Sequence, residues 1–279
     1  MPTAVVLLGT AGGPAPKRSR AAPANAVVVD GVLYIVDCGN GVAGQIARAG
    51  LDVRALRAVF LTHHHSDHNV DAGTLLQLAW SAGLDRPVDV IGPPPLLRMM
   101  DAFSRFAETD VRIRESDEGR PAFAPLYRVA EIARSGEIYR DERVVVRAAV
   151  VEHPPVAPSF AFRFDAADRS IVFSGDTAPC DALVELAKGA DVLVHEVMHE
   201  VAIGEILKRL ANATRLREHL AASHTRLEDV GTVARRAGVR TLVLNHFVPS
   251  EGVADETWRD GAAHSFAGEI IVGSDLMHV

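Results

Sequence analysis

The sequence predicts an α/β protein built as a four-layer sandwich, two β-sheets packed together with helices on their outer faces. Three observations lead there. Short β-branched and apolar runs recur along the 279-residue chain, they give way to segments of helical spacing in two successive blocks, and no Pro/Gly/Ser-rich linker parts the blocks. Residues 1–279 are therefore expected to form a single domain.

The first block opens with strand-like runs at 4–8, 26–29 and 32–36, the last two joined by Asp30-Gly31, a dipeptide suited to the positive φ angles of a tight hairpin. After Asp37-Cys38-Gly39-Asn40 a helix is expected to about residue 49, and then a strand at 58–61. That strand runs into Thr62-His63-His64-His65-Ser66-Asp67-His68, which places the histidines on a strand-to-helix loop. Leu75, Leu76, Leu78 and Ala79 carry a helix over 71–80; a strand at 88–91 follows, and Gly92-Pro93-Pro94-Pro95 introduces a helix to about residue 106. Residues 108–140 are mixed in charge and weakly periodic. Their Arg112, Arg114, Arg120, Arg128 and Arg134 suit a lid or a dimer contact, but the interspersed acids favour a solvated surface. Strands resume at 144–151, 159–164 and 170–173. The remainder alternates helix 182–188, strand 191–194, helices 201–210 and 227–237, strand 241–244, helix 255–263 and a last strand at 269–272, with no repeat or low-complexity tract.

With 48% hydrophobic and 23% charged residues the composition is that of a globular protein. Lys and Arg number 29 against 36 Asp and Glu, a net −7 that gives no overall pull toward nucleic acid or an anionic membrane. Cys38 and Cys180 are far apart and read as reduced thiols. The opening residues lack a charged segment and a signal-like apolar run, and no stretch approaches the roughly 20 apolar residues that span a bilayer. A cytoplasmic protein without a membrane partner is expected.

In the His-rich loop, His63 and His65 can converge on one side while Asp67 and His68 turn to the other, so one short segment can serve two metal sites. Imidazole and carboxylate donors without thiolate suit Zn, Mn, Fe or Ni in a reactive site better than a structural Zn. Further candidate ligands follow apolar strands: His153 in Val-Glu-His-Pro-Pro, Asp176 in Ser-Gly-Asp-Thr and His246 in Asn-His-Phe. Singly each is an ordinary turn residue; donors at the same ends of several strands can meet in one cleft.

Thr62-His63-x-His65-x-Asp67-His68, followed in order by His153, Asp176 and His246, resembles the metallo-β-lactamase superfamily over nearly the whole chain. The resemblance implies the αββα metallo-β-lactamase fold and two divalent metal ions, Zn foremost with Mn or Fe as alternatives. It assigns His63, His65 and His153 to one metal, Asp67, His68 and His246 to the other, and Asp176 to both. Such a pair acidifies a water for attack on an ester, with Asp67 placed to orient or deprotonate it. His64 matches no ligand position.

Val194-His195-Glu196 and Ala222-Ser223-His224-Thr225 look like motifs of the ribonuclease Z and arylsulfatase branch. By that resemblance His224 donates a proton to the leaving oxygen or stabilises the charged transition state, and Glu196 orients it. Thr225 or Ser223 is available as the N-cap of the next helix. His199 and His219 fit no motif. The glycine-rich stretch Gly9–Arg20 is no P-loop; it is either a mobile loop or, as in this branch, an anion-approaching wall.

In bacterial ribonuclease Z a long tRNA-gripping arm lies between the equivalents of His153 and Asp176, whereas here only 23 residues separate them. With the negative net charge, this favours a small-molecule phosphodiester, sulfate or other ester as substrate. The alternatives are a ribonuclease Z-type endonuclease of tRNA 3′ processing, with RNA as partner, and a non-catalytic metal-binding scaffold. The branch also implies a homodimer. A secreted β-lactamase, a hydroxyacylglutathione hydrolase and a flavodiiron protein are disfavoured by the missing signal segment, C-terminal extension and appended flavin domain.

Overall fold

Side-chain alternation along the strands sets the architecture. The computed structural model describes residues 2–208 and 214–279. In β1 (Ala4–Gly9), Val5 and Leu7 enter one apolar cluster and Val6 and Leu8 another, so the strand is covered on both faces. The chain continues through β2 (Ala24–Val29), β3 (Val32–Val36), α1 (Val42–Arg48), β4 (Leu56–Phe60), α2 (Ser66–Asn69), α3 (Ala72–Ser81), β5 (Val88–Gly92), α4 (Leu96–Asp117) and β6 (Tyr127–Glu131). The second block comprises β7 (Gly136–Arg140), β8 (Val144–Val151), β9 (Ser159–Ala166), β10 (Ser170–Phe173), α5 (Asp181–Leu186), β11 (Val192–Met198), α6 (Glu200–Leu207), α7 (Leu216–Ser223), α8 (Leu227–Ala237), β12 (Thr241–Val248), α9 (Asp255–Ala263), β13 (Glu269–Val272) and β14 (Met277–His278).

Two seven-stranded sheets result, in the orders β14-β1-β2-β3-β4-β5-β6 and β13-β12-β11-β10-β9-β8-β7. Each is antiparallel on one side and parallel on the other, with β3-β4-β5-β6 and β10-β11-β12-β13 forming the parallel halves. Between the sheets lie Tyr34, Phe60, Phe160, Phe162, Phe164 and Phe173, Phe60 meeting Phe164 edge-on with centroids 5.2 Å apart. Leu75, Leu76 and Trp80 of α3 cover the first sheet, and Val230, Val233 and Ala234 of α8 the second. This is the four-layer αββα sandwich that the residue pattern predicts. The Asp30-Gly31 hairpin holds as well, both residues having positive φ, 50° and 79°.

Several elements depart from the expected pattern. α4 continues past residue 106 to Asp117 on little apolar burial, Ala107 and Val111, while Glu108 pairs with Arg112 and Asp110 with Arg114 on its exposed side. The rest of 108–140 supplies β6 and β7, each closing one sheet at an edge, and Arg128 pairs with Asp89 of β5. α7 has no counterpart in the expectations, and the final pairing of β14 with β1 was likewise not foreseen. The helix expected over 201–210 ends at Leu207, with residues 209–210 outside the described residues.

β11 and β12 run on to Met198 and Val248, beyond the expected ends at 194 and 244. Glu196 and His246 thus lie within strands rather than behind them. Buried, hydrogen-bonded polar residues interrupted apolar runs that the backbone pairing continues. Ser223 and Thr225 do not cap α8: Arg226 holds that position, while Ser223 and Thr225 donate to the carbonyls of Pro154 and Thr177. No described helix is long and apolar enough to cross a membrane.

Candidate metal centre

The centre forms where the parallel strands end, the place at which open α/β sheets present their loops to a ligand. Just past β4, Thr62 donates its amide to Asp37 Oδ1 at 2.8 Å and its hydroxyl to the same carboxylate at 3.0 Å. That anchor starts the loop bearing His63 and His65, which turns at His65 into the single turn α2 with Asp67 and His68. His153 follows β8 after one residue, Glu152, which bridges to Ala178. Asp176 follows Gly175, whose φ of +58° and whose position, where a Cβ would lie 2.6 Å from the Phe160 carbonyl, admit only glycine. His246 sits at a register shift between β11 and β12 with φ 43°, its amide held by Asn245 Oδ1 at 2.8 Å.

All seven residues assigned by the resemblance come together. His63 Nε2 and His153 Nε2 lie 3.0 and 3.2 Å from His65 Nδ1, and His68 Nε2 lies 3.2 Å from His246 Nε2. Asp176 Oδ2 stands between the groups, 3.9 Å from His63 Nε2, 3.4 Å from His68 Nε2 and 3.3 Å from His246 Nε2. Asp67 Oδ2 is 3.5 Å from His68 Nε2 and 3.6 Å from His246 Nε2. Four donors of one group, His63, His65, His153 and Asp176, and three of the other, Asp67, His68 and His246, each fall within 4.8 Å of one another.

The protonation pattern fits cations. The outer nitrogens of three rings are engaged: His63 Nδ1 with Thr62 Oγ1 at 3.0 Å, His68 Nδ1 with Asp37 at 2.8 Å, and His153 Nδ1 with the Ser223 carbonyl at 2.9 Å. A neutral imidazole with its Nδ1 proton directed outward presents an Nε2 lone pair inward, as at His63 and His153, while at His68 the Asp176, Asp37 and Asp67 carboxylates outweigh burial and raise the ring well above the ordinary histidine value, a proton standing where a cation would. Burial, reinforced by neighbouring rings, holds His63 well below the ordinary histidine value and lowers His65 to about 4. Burial works against ionising Asp67 and Asp176, yet the surrounding rings outweigh it, lowering Asp67 to about 2 and holding Asp176 well below the ordinary carboxylate value. Buried Asp176 Oδ1 has no hydrogen-bond partner among the described residues. Inward lone pairs, ionised carboxylates and an unpartnered buried oxygen form a donor set for divalent cations.

His224, the C-cap of α7, stacks on His246 with centroids 5.9 Å apart and planes 14° apart. Its Nδ1 meets Glu196 Oε1 at 3.0 Å, and the same oxygen accepts the amides of Thr177 at 3.0 Å and Thr225 at 3.2 Å. Burial opposes charging His224, but the Glu196 carboxylate overrides it and raises the pKa to about 9. The pair is thus an imidazolium held against a fixed carboxylate, set beside the candidate ligands.

Asp37, which sequence reasoning passed over, links the two halves of the loop by binding both Thr62 and His68. Its signal was weak, an acid just after a strand. His219, left without a role, lies five residues before His224 with its ring 6.0 Å from that of His65. His64, expected to be no ligand, is turned away onto the Pro93 carbonyl at 2.7 Å. The glycine-rich stretch is tied down: Gly12 donates to the Phe247 carbonyl, and Glu251 accepts from the amides of Arg18 and Ser19. A cleft of about 590 Å³ opens above the centre, bordered by this stretch, by α6 and α7, and by His65, Asp67, Asp176, His224 and His246.

Residues 33–247 match the β-lactamase superfamily domain. The ribonuclease Z of Mycobacterium bovis (strain BCG / Pasteur 1173P2) is 36% identical over 279 residues, covering 99% of this chain and 97% of its own. That of Mycobacterium sp. (strain KMS) is 39% identical over 278 residues, covering 99% and 95%. Among solved structures, the metallo-β-lactamase fold protein YhfI of Bacillus subtilis superposes with a TM-score of 0.74 at 20% identity, covering 100% of this chain and 99% of its own. The short form of human tRNase Z does so with a TM-score of 0.71 at 22% identity, covering 99% and 98%. Both share this fold.

Proposed function

This chain belongs to the β-lactamase superfamily, and from that premise we propose that it is a dinuclear metal-dependent phosphodiesterase of the ribonuclease Z type, cleaving RNA at the 3′ side of tRNA precursors. The observation that carries the proposal is similarity to ribonuclease Z proteins across 99% of the chain. The small-ester reading, placed first on sequence grounds, thereby yields to the RNA reading placed second. The short interval between His153 and Asp176 is filled by β9 and β10, which pair directly, so contacts to RNA fall to other parts of the cleft rim, such as Lys17.

In this proposal His63, His65 and His153 hold one cation, Asp67, His68 and His246 the second, and Asp176 both; Zn suits the donors, as do Mn and Fe. Bound there, divalent cations would supply Lewis acidity to acidify a water and neutralise charge on the attacked phosphate. Asp67, ionised and facing the cleft, would orient the attacking water and take up its proton. His224 donates a proton to the departing oxygen, and Glu196 fixes its orientation and keeps it charged. Asp37, Thr62 and the Ser223 carbonyl aim the rings.

The test is metal analysis of untagged protein purified without chelator, together with hydrolysis of a 3′-extended tRNA precursor, an arylsulfate and bis-p-nitrophenyl phosphate. Nearly two metals per chain and chelator-sensitive cleavage of the precursor are expected. Turnover of the small esters alone would restore the small-ester reading, and failure to take up metal would leave the scaffold.

A further inference from the structure

Strict alternation along β12 would carry His246 away from the metal centre. Leu242 and Leu244 join the apolar cluster beneath the helices and Val243 the one between the sheets, so Asn245 is the next residue to face inward and His246 would point toward the helices. The pairing with β11 slips here, Glu196 opposing Asn245 and Val197 opposing Phe247, which leaves His246 as the extra residue of a bulge. Its φ of 43° turns the ring back, placing Nε2 3.3 Å from Asp176 Oδ2 and 3.2 Å from His68 Nε2. Phe247 then packs beneath the helices with Leu242 and Leu244. The bulge, not the strand, aims this candidate ligand, and a left-handed φ at a residue with a Cβ persists only where its surroundings hold it.

Two asparagines supply the hold. Asn245 Oδ1 accepts the His246 amide at 2.8 Å, and Asn245 Nδ2 donates to Asn25 Oδ1 at 2.9 Å, both bonds being buried. Asn25 belongs to the other sheet. It sits in β2 on the face that Val27 and Val29 turn to the inter-sheet core, and its backbone is paired on both sides, with Leu7 of β1 and Val36 of β3. The terminal torsion of an asparagine is soft, so a side chain held at one end alone swings. Asn25 fixes the far end of Asn245 and thereby keeps Oδ1 on the His246 amide; without that acceptor the buried Nδ2 protons would draw the side chain toward another partner. Beyond the bulge, Phe247 is held separately, its amide donating to the Thr10 carbonyl at 3.1 Å and its carbonyl accepting from the Gly12 amide at 3.2 Å. β12 therefore stays docked when Asn25 is altered.

We propose that Asn25, itself no ligand, is a positioning residue for one of the two cations: from the first sheet it locks Asn245, which holds the bulge that turns His246 of the second sheet to the centre. The two sheets are thus coupled at the group Asp67, His68 and His246, whose first two members come from the loop after β4 and whose third comes from β12. The effect on metal rests on the dinuclear reading of the centre; the clamp itself does not.

Stepwise stripping of the metal-loaded protein with a chromogenic chelator gives an affinity for each cation, and hydrogen exchange of the chelated protein, followed by NMR, gives the protection of the His246 amide. Asn25→Leu, close in volume but without an acceptor, should speed exchange of that amide about tenfold. It should also weaken one affinity about tenfold, the step that His246→Ala removes, and leave the other within about twofold. Asn245→Ala should act alike, and the double variant should be no worse than Asn245→Ala alone, because Asn25 works through Asn245. Tyr34→Phe is the control: it removes a different hydrogen bond joining the two blocks, Tyr34 to Asp141 at 2.6 Å, and should lower stability while leaving His246 protection and both affinities unchanged. Asn25→Val, smaller and suited to a strand, replaces Asn25→Leu if the latter does not fold. Wild-type protection of the His246 amide in the Asn25 variant, equal weakening of both cations, or additive effects in the double variant would overturn the clamp. If the wild type takes up no metal, the dinuclear reading falls and the amide exchange alone decides the clamp.

Discussion

Replacing Glu196 by glutamine separates the charge of this residue from its hydrogen bonds. Oε1 accepts from the Thr177 amide, the Thr225 amide and His224 Nδ1, and a glutamine carbonyl in the same place keeps all three acceptor contacts. The negative charge disappears, and with it the main force that raises His224 from 6.5 to about 9 against the opposing effect of burial. In the variant, burial prevails and the pKa falls below 6.5. Because the folded-state value in the wild type lies above the unfolded one, the stabilisation is complete below 6.5 and fades as pH rises through 9. Linkage gives about 3 kcal/mol between pH 5 and 7, falling below about 1 kcal/mol near pH 9. Urea unfolding of chelated wild type and Glu196→Gln across that range should show the difference closing at high pH, superimposed on a constant cost of about 1–3 kcal/mol for an unpaired amide donor where Oε2 has no partner. An NMR titration of His224 checks the cause. A pH-independent difference, or an imidazole still titrating near 9 in the variant, would refute the electrostatic account.

Asp67→Ala should abolish turnover, by about 10²–10⁴-fold for the proton transfer alone, read from initial rates on bis-p-nitrophenyl phosphate; unchanged rates would sink the mechanism. His224→Ala should keep both metals, counted by elemental analysis, while slowing hydrolysis about 10²-fold, whereas loss of both metals would make His224 structural. Asp37→Ala strips the partner from His68 Nδ1 and the anchor from Thr62. It should weaken metal affinity about 10–100-fold in competition with a chromogenic chelator, and wild-type affinity would show that the ring is aimed by other contacts.

What was legible in the sequence was whatever leaves a local mark. His63-x-His65-x-Asp67-His68 packs four donors into six residues because one strand-to-helix loop serves both groups, and short β-branched runs report strands whichever sheet they join. Glu196 and His246 were found as residues but misplaced as strand-end residues. Periodicity registers burial of apolar side chains, and both polar residues are buried through hydrogen bonds that only the folded chain supplies: Glu196 takes amides from Thr177 and Thr225, and His246 depends on Asn245 to hold a bulge. α7 was missed for a related reason. Its Leu216 and Leu220 face a cleft rather than the core, so its apolar stripe is too narrow to announce a helix, yet it carries His224 to within stacking distance of His246. Asp37 was hidden most completely, since its partners Thr62 and His68 lie more than twenty residues away and nothing near it marks the contact. The residues that aim and support the ligands are therefore less visible than the ligands themselves: a donor motif is constrained by the geometry of its own loop, whereas a supporting carboxylate is constrained only by the packing of one loop on another strand.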